Sequence, residues 1–219
     1  MDYTSLICSA IAFLAGLVTA RSIKPAFLRL VIFILGITAI TEYVVLQLPR
    51  TNTINNIYTT FSYFDISIWL YVFYRIHQKE KMIRWIVALE VIVILLSFAE
   101  SYYYWGFFHT GALRLYDIVI ISLSVLYLYR LLAPDYYDLS KDPLFFVCVA
   151  CILYHGLSFI KFTTLSERVF FQEKIANNVF HILDAIANIL YYPLLCAAFI
   201  VSYYYQQKPL KFYQSSLQS

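Results

Sequence analysis

Residues 177–205 read "NNVFHILDAIANILYYPLLCAAFIVSYYY", a run apolar enough to enter a bilayer, yet its first half carries Asn177, His181, Asp184 and Asn188. At about 100° per residue, the spacing i, i+4, i+7, i+11 gathers all four into a helical stripe roughly 60° wide. The rest of the rod is Ile, Leu, Ala, Val and Phe. A single polar stripe on an apolar rod turns away from lipid, toward other helices or toward water held between them. Glu42, Asp65, Glu90, Asp117 and His155 lie in other apolar runs. His155 shares a helical stripe with Cys148, Cys151 and Ser158, so it is expected to face inward. Glu90, within "ALEVIVILL", has no stripe and is expected to pair with Arg84 or to be protonated.

Imidazoles beside carboxylates suit Zn²⁺. His181 and Asp184 share a face, and His155 would join them from the neighbouring helix, with Glu42 or Asp65 as fourth ligand or base. That set would make a metal-dependent membrane hydrolase. It loosely resembles the seven-helix hydrolases of the alkaline ceramidase type, but their paired-histidine motif on the last helix is absent, as is HExxH. Retinal proteins need a lysine in the last helix, and residues 175–205 contain none. GxSxG, P-loop and Rossmann glycine patterns are also missing. Cys148 and Cys151 form a CxxC in mid-run, where two small core residues are expected rather than a redox pair. Buried polar groups also join helices by hydrogen bonds without any ligand. Carboxylates are expensive for that purpose, so the cluster as a whole points to a cavity.

The elements that must position these groups follow from composition. The chain has 219 residues, 62% hydrophobic and 13% charged, against about 25% charged in soluble domains. Only a bilayer accommodates so much apolar surface. Apolar windows of spanning length predict an all-α integral membrane bundle of seven transmembrane helices in one domain, at about 4–20, 26–48, 57–76, 82–100, 113–133, 143–163 and 175–205. Eleven Lys and Arg fall on one side: residues 21, 24, 29, 75, 79, 81, 84, 130, 141, 208 and 211. Five fall on the other: Arg50, Arg114, Lys161, Arg168 and Lys174. The excess predicts an outside N-terminus and a cytoplasmic C-terminus in the cell's inner membrane. No basic patch of the kind that tracks phosphates is present, so nucleic acid is not an expected partner.

At 1.5 Å per residue, Glu42, Asp65, His155, His181 and Asp184 come out roughly 8–14 Å below the outer surface, with Asp117 nearer the rim and Glu90 nearer the midplane. An unpaired charge at such a depth costs several kcal/mol. The expected site is therefore one shared outer-half cavity containing Glu42, Asp65, Asp117, His155, Asn177, His181, Asp184 and Asn188.

Three stretches, "GITAITEYVVLQLPRTNTINNIYTTFSYFDISIWLYVFYRI", "LSKDPLFFVCVACILYHGLSFI" and "NNVFHILDAIANILYY", together resemble small bacterial seven-helix membrane proteins of unassigned function, often encoded near sensor histidine kinases. The resemblance implies a shared site at Glu42 and Asn55–Asn56–Tyr58. The expectation is a sensor or receptor-like module, not an enzyme, without a cofactor. It would bind a small ligand or a proton and signal to a cytoplasmic protein. A self-assembling membrane subunit and the Zn²⁺ hydrolase are the alternatives.

Overall fold

The computed structural model describes residues 3–23, 25–48, 52–77, 85, 88–89, 91–96, 99, 110–132, 138–166 and 173–205. All regular structure among them is helical. The elements are α1 (Thr4–Thr19), α2 (Ala26–Gln47), α3 (Asn52–His77), α4 (the helical residues described between 85 and 99), α5 (Thr110–Leu132), a 3-10 turn (Leu139–Lys141), α6 (Pro143–Ser166) and α7 (Glu173–Tyr205). Four helices are long and apolar enough to cross a membrane: Ala26–Gln47, Gly111–Leu132, Pro143–Thr163 and Asn178–Tyr205. α1 is apolar but shorter. Large apolar side chains point outward from them, such as Ile11, Phe33, Ile118, Ile160 and Ile189. In water such a surface would aggregate, and in lipid it is solvated.

Neighbour contacts close the described helices into a ring. α3 packs on α2, α2 on α1, α1 on α7, α7 on α6 and α6 on α5. The ring closes at α3–α5, its thinnest seam. Glycine lets α1 approach α2 closely. A Cβ on Gly16 would lie 2.7 Å from Ile32 Cγ1 and 3.2 Å from Phe199 Cε2, and one on Gly36 would lie 2.8 Å from Phe13 Cε2. Small residues are how helices gain close contact where no hydrophobic effect drives them together. The core beneath is Leu28, Ile34, Trp69, Phe73, Leu195 and Phe199.

The start of α6 is tied down locally. Asp142 Oδ1 accepts from the Leu144 N–H at 2.7 Å, with Pro143 in the first helical position. Asp142 Oδ2 accepts from Tyr127 Oη of α5 at 2.9 Å. One carboxylate thus caps α6 and fixes it to α5.

Several helices run past their apolar windows by two to five residues, while other ends agree to within one residue. α3 begins at Asn52, not 57; α5 at Thr110, not 113; and α6 runs on to Ser166. Hydropathy marks where a chain leaves the apolar phase, whereas helices continue through polar turns. The 82–100 window is described only in part, and Glu90 lies outside the described residues, as does the tail 206–219.

Candidate functional site

His155 is the centre. It sits on α6, 2% exposed, and its Nδ1 is 2.7 Å from Asp117 Oδ1 of α5. An ionised carboxylate only accepts, so Nδ1 carries the proton and donates it. Rings from two helices hold the imidazole edge-on: Tyr116 at 5.1 Å and Tyr154 at 5.2 Å. Nε2 of His155 and Oδ2 of Asp117 are buried without a hydrogen-bond partner among the described residues. Orphaned buried polar atoms are uncommon, because each costs about 1–3 kcal/mol unless water or a ligand meets it.

A cavity lies beside them. It is bounded by α2, α3, α6 and α7, with Thr38, Asp65, Trp69, His155, Tyr191 and Tyr192 in its wall. Its volume is about 50 Å³, room for about three to five waters at ~10–15 Å³ each. Asp65 accepts from Tyr116 Oη across a long 3.5 Å contact and interacts electrostatically with both His155 and Asp117. Tyr191 stacks obliquely on Tyr154 at 4.6 Å and meets Trp69 edge-on at 6.4 Å.

A second polar layer lies nearer the α2–α3 junction. Tyr58 donates to Glu42 Oε2 at 3.2 Å, joining two parts of the region singled out by resemblance. Lys161 Nζ is 2.7 Å from Asp184 Oδ1, and Asn188 donates to Asp184 Oδ2 at 3.3 Å. The Lys161 ammonium also lies over the rings of Phe180 and Phe162, at 4.9 and 5.1 Å. Glu42 is within electrostatic reach of this pair.

Several expectations need correction. Asp117 is not at the rim. It bonds His155, because α5 starts earlier than its apolar window and so carries Asp117 deeper. Lys161 is not an outside loop charge; it is 9% exposed within α6 and neutralises Asp184. His181 is exposed. The ion pair sets Asp184 level with Lys161, so His181, one turn farther out, lies near the end of α6 with less helix to face. Its ring meets that of Phe180 edge-on at 5.8 Å. The structure therefore does not unite His155, His181 and Asp184. No group of three His, Cys, Asp or Glu among the described residues can hold a metal ion. The side chains of Asn55, Asn56 and Asn177 lie outside the described residues. Cys148, Cys151, His155 and Ser158 are all buried, and both thiols are free.

The sequence reading missed Tyr116, Lys161, Tyr191 and Tyr192 as site residues. The tyrosines carried no signal in a chain with 21 of them. Lys161 carried one: it falls inside the 143–163 window, where a lysine needs a carboxylate.

No protein-family model, curated protein or solved structure matches the chain.

Proposed function

We propose that the protein is a membrane sensor of seven spans, N-terminus outside and C-terminus cytoplasmic, in the inner membrane. A small polar species enters the cavity between α2, α3, α6 and α7, changes the packing of α3 on α5, and is read by a cytoplasmic protein. The observation that carries this reading is the unpartnered Nε2 of a buried histidine in the wall of a water-sized cavity. His77 Nε2, Ser124 Oγ and Ser202 Oγ are likewise buried with no hydrogen-bond partner among the described residues, but His155 is the one of the histidines and serines so placed that lines this cavity.

The seam supplies a route to the far end. α3 meets α5 through two long polar contacts, Tyr116–Asp65 in the cavity layer and Arg130–His77 at the opposite end, each 3.5 Å. Both are at the limit of hydrogen bonding, and at the second end His77 also meets the Tyr127 ring edge-on at 6.5 Å and the Leu123 backbone. A charge change beside Asp65 acts on the first contact, and a rigid α3 carries the displacement about 18 Å to the second.

The test is the distance between spin labels at Arg75→Cys and Tyr129→Cys, with the native cysteines replaced. Both positions are exposed near the far end of the seam. Asp65→Asn and His155→Gln should each shift the distance distribution. A distribution untouched by either substitution contradicts the coupling.

A further inference from the structure

We infer that the species bound in the cavity is a proton, taken up on His155 Nε2 from the α2–α3 end of the bundle and not passed on to the other end. The inference rests on the sensor reading and names its ligand.

Size is the first argument. The cavity has room for only about three to five waters, so organic ligands of ordinary size do not fit, whereas hydrated protons need no more room. Charge is the second. From α5, Asp117 holds the ring by Nδ1 and Tyr116 abuts it. Asp65 of α3 lies across the cavity. Tyr154 flanks the ring on α6, and Tyr191 of α7 lines the same space. Two aspartates therefore address the imidazole, and Lys161, the cation that acts on Asp117, is paired with Asp184; Arg114 lies one turn from Asp117 on α5. The step is simple: hydronium in the cavity gives its proton to Nε2, water remains, and the imidazolium stays hydrogen-bonded to Asp117.

The side of entry follows from the layering. Toward the α2–α3 end, polar groups continue through Glu42, Tyr58, Lys161 and Asp184. Toward the other end, the next buried imidazole and carboxylate among the described residues are His77 and Asp142, about 18 Å along α3 and about 20 Å along α6, with the thiols of Cys151 and Cys148 and the Ser124 hydroxyl between. Trp69, Phe73, Ile120, Leu123, Val147 and Leu195 fill the interval. Ser124 and Cys148 are in contact there, but no carboxylate or imidazole among the described residues links them to His155. Among the described residues the site is thus a well with one mouth, suited to report protons rather than move them.

The test uses full-length protein in proteoliposomes, with Trp85 and Trp105 changed to Phe so that Trp69 alone fluoresces. Inner and outer buffers are set independently, and protease removal of a C-terminal tag identifies which faces the far end. Trp69 emission should follow the pH of the buffer at the α2–α3 end only, as a single-proton transition, with no flux reported by trapped pyranine. His155→Gln should abolish the transition. Asp117→Asn, which keeps a hydrogen bond but not the charge, should weaken the Trp69 response. Response to the far buffer, sustained flux, or a transition that survives His155→Gln in a folded protein overturns the inference. If Trp69 ignores pH while His155→Gln still shifts the Arg75–Tyr129 label distance, the proton is wrong and the sensor reading stands. If both are silent, both fall.

Discussion

Lys161 Nζ stands 2.7 Å from Asp184 Oδ1, so the one lysine buried among the described residues neutralises the carboxylate of the last helix. This changes what substitution at Asp184 should do. Asp184→Leu does not relieve a lone buried charge; it strands Lys161, whose side chain is 11% exposed. Breaking a fully buried pair costs ~3–5 kcal/mol. Asp184 is 35% exposed, and solvent screening brings the expected loss to about 1–3 kcal/mol. Asp184→Leu with Lys161→Met should recover most of it, and Asp184→Asn should fall between. Detergent melts of these proteins with the Lys161→Met single variant close the cycle; equal losses in Asp184→Leu and the double variant would remove the pair from the account.

The Asp142 carboxylate does two tasks, capping α6 and accepting from Tyr127. Asp142→Ala should cost about 1–3 kcal/mol, the sum of a lost cap and an unpaired hydroxyl. Asp142→Asn can still accept one bond and should cost less. Tyr127→Phe should cost less again, because the cap remains. Equal melting temperatures for Ala and wild type would contradict both bonds.

Gly16 offers no space for a side chain against Ile32 and Phe199. Gly16→Leu should destabilise by at least ~1–3 kcal/mol through overpacking of α1 on α2 and α7. Ile32→Ala should partly rescue it, since Ile32 is the nearest obstacle. A neutral Gly16→Leu would mean that α1 is not packed so closely.

Outside the apolar helices, Lys141 and the Ser140 hydroxyl bond Asp138 and hold its carboxyl below the usual range. A depressed folded pKa contributes stability that is present above the unfolded value of about 3.9 and is lost as pH falls through the folded one. Both side chains of the ion pair are about half exposed, so the effect on global stability should be slight. Carboxyl-carbon NMR should place the Asp138 midpoint below that of an ordinary aspartate, and Lys141→Met should raise it. An unchanged midpoint in that variant would show that the pair does not form in solution.

Composition made the helical class and the membrane-like surface legible, because 62% hydrophobic residues leave few other outcomes. The inward stripe of Cys148, Cys151, His155 and Ser158 was legible too, since helical periodicity alone orders a face. Partners across helices were not. Asp117 was assigned to the rim because depth was counted from the apolar window, and a three-residue error in a helix start is about 4.5 Å, enough to miss a hydrogen bond. His181 was grouped with Asp184 because one helix face is visible in sequence, whereas the point at which its neighbour ends is not. Lys161 was counted among the outer-side charges because its partner on the next helix is not visible in sequence.

The central claim is that water or a proton reaches Nε2 of His155 while Nδ1 stays on Asp117. Water-edited ¹⁵N solid-state NMR of histidine-labelled protein in bilayers reads both nitrogens, with His155→Gln assigning the signals among the four histidines. The account predicts magnetisation transfer from water to Nε2 and a protonated, strongly hydrogen-bonded Nδ1. A His155 ring with neither nitrogen in contact with water across the accessible pH range would contradict it.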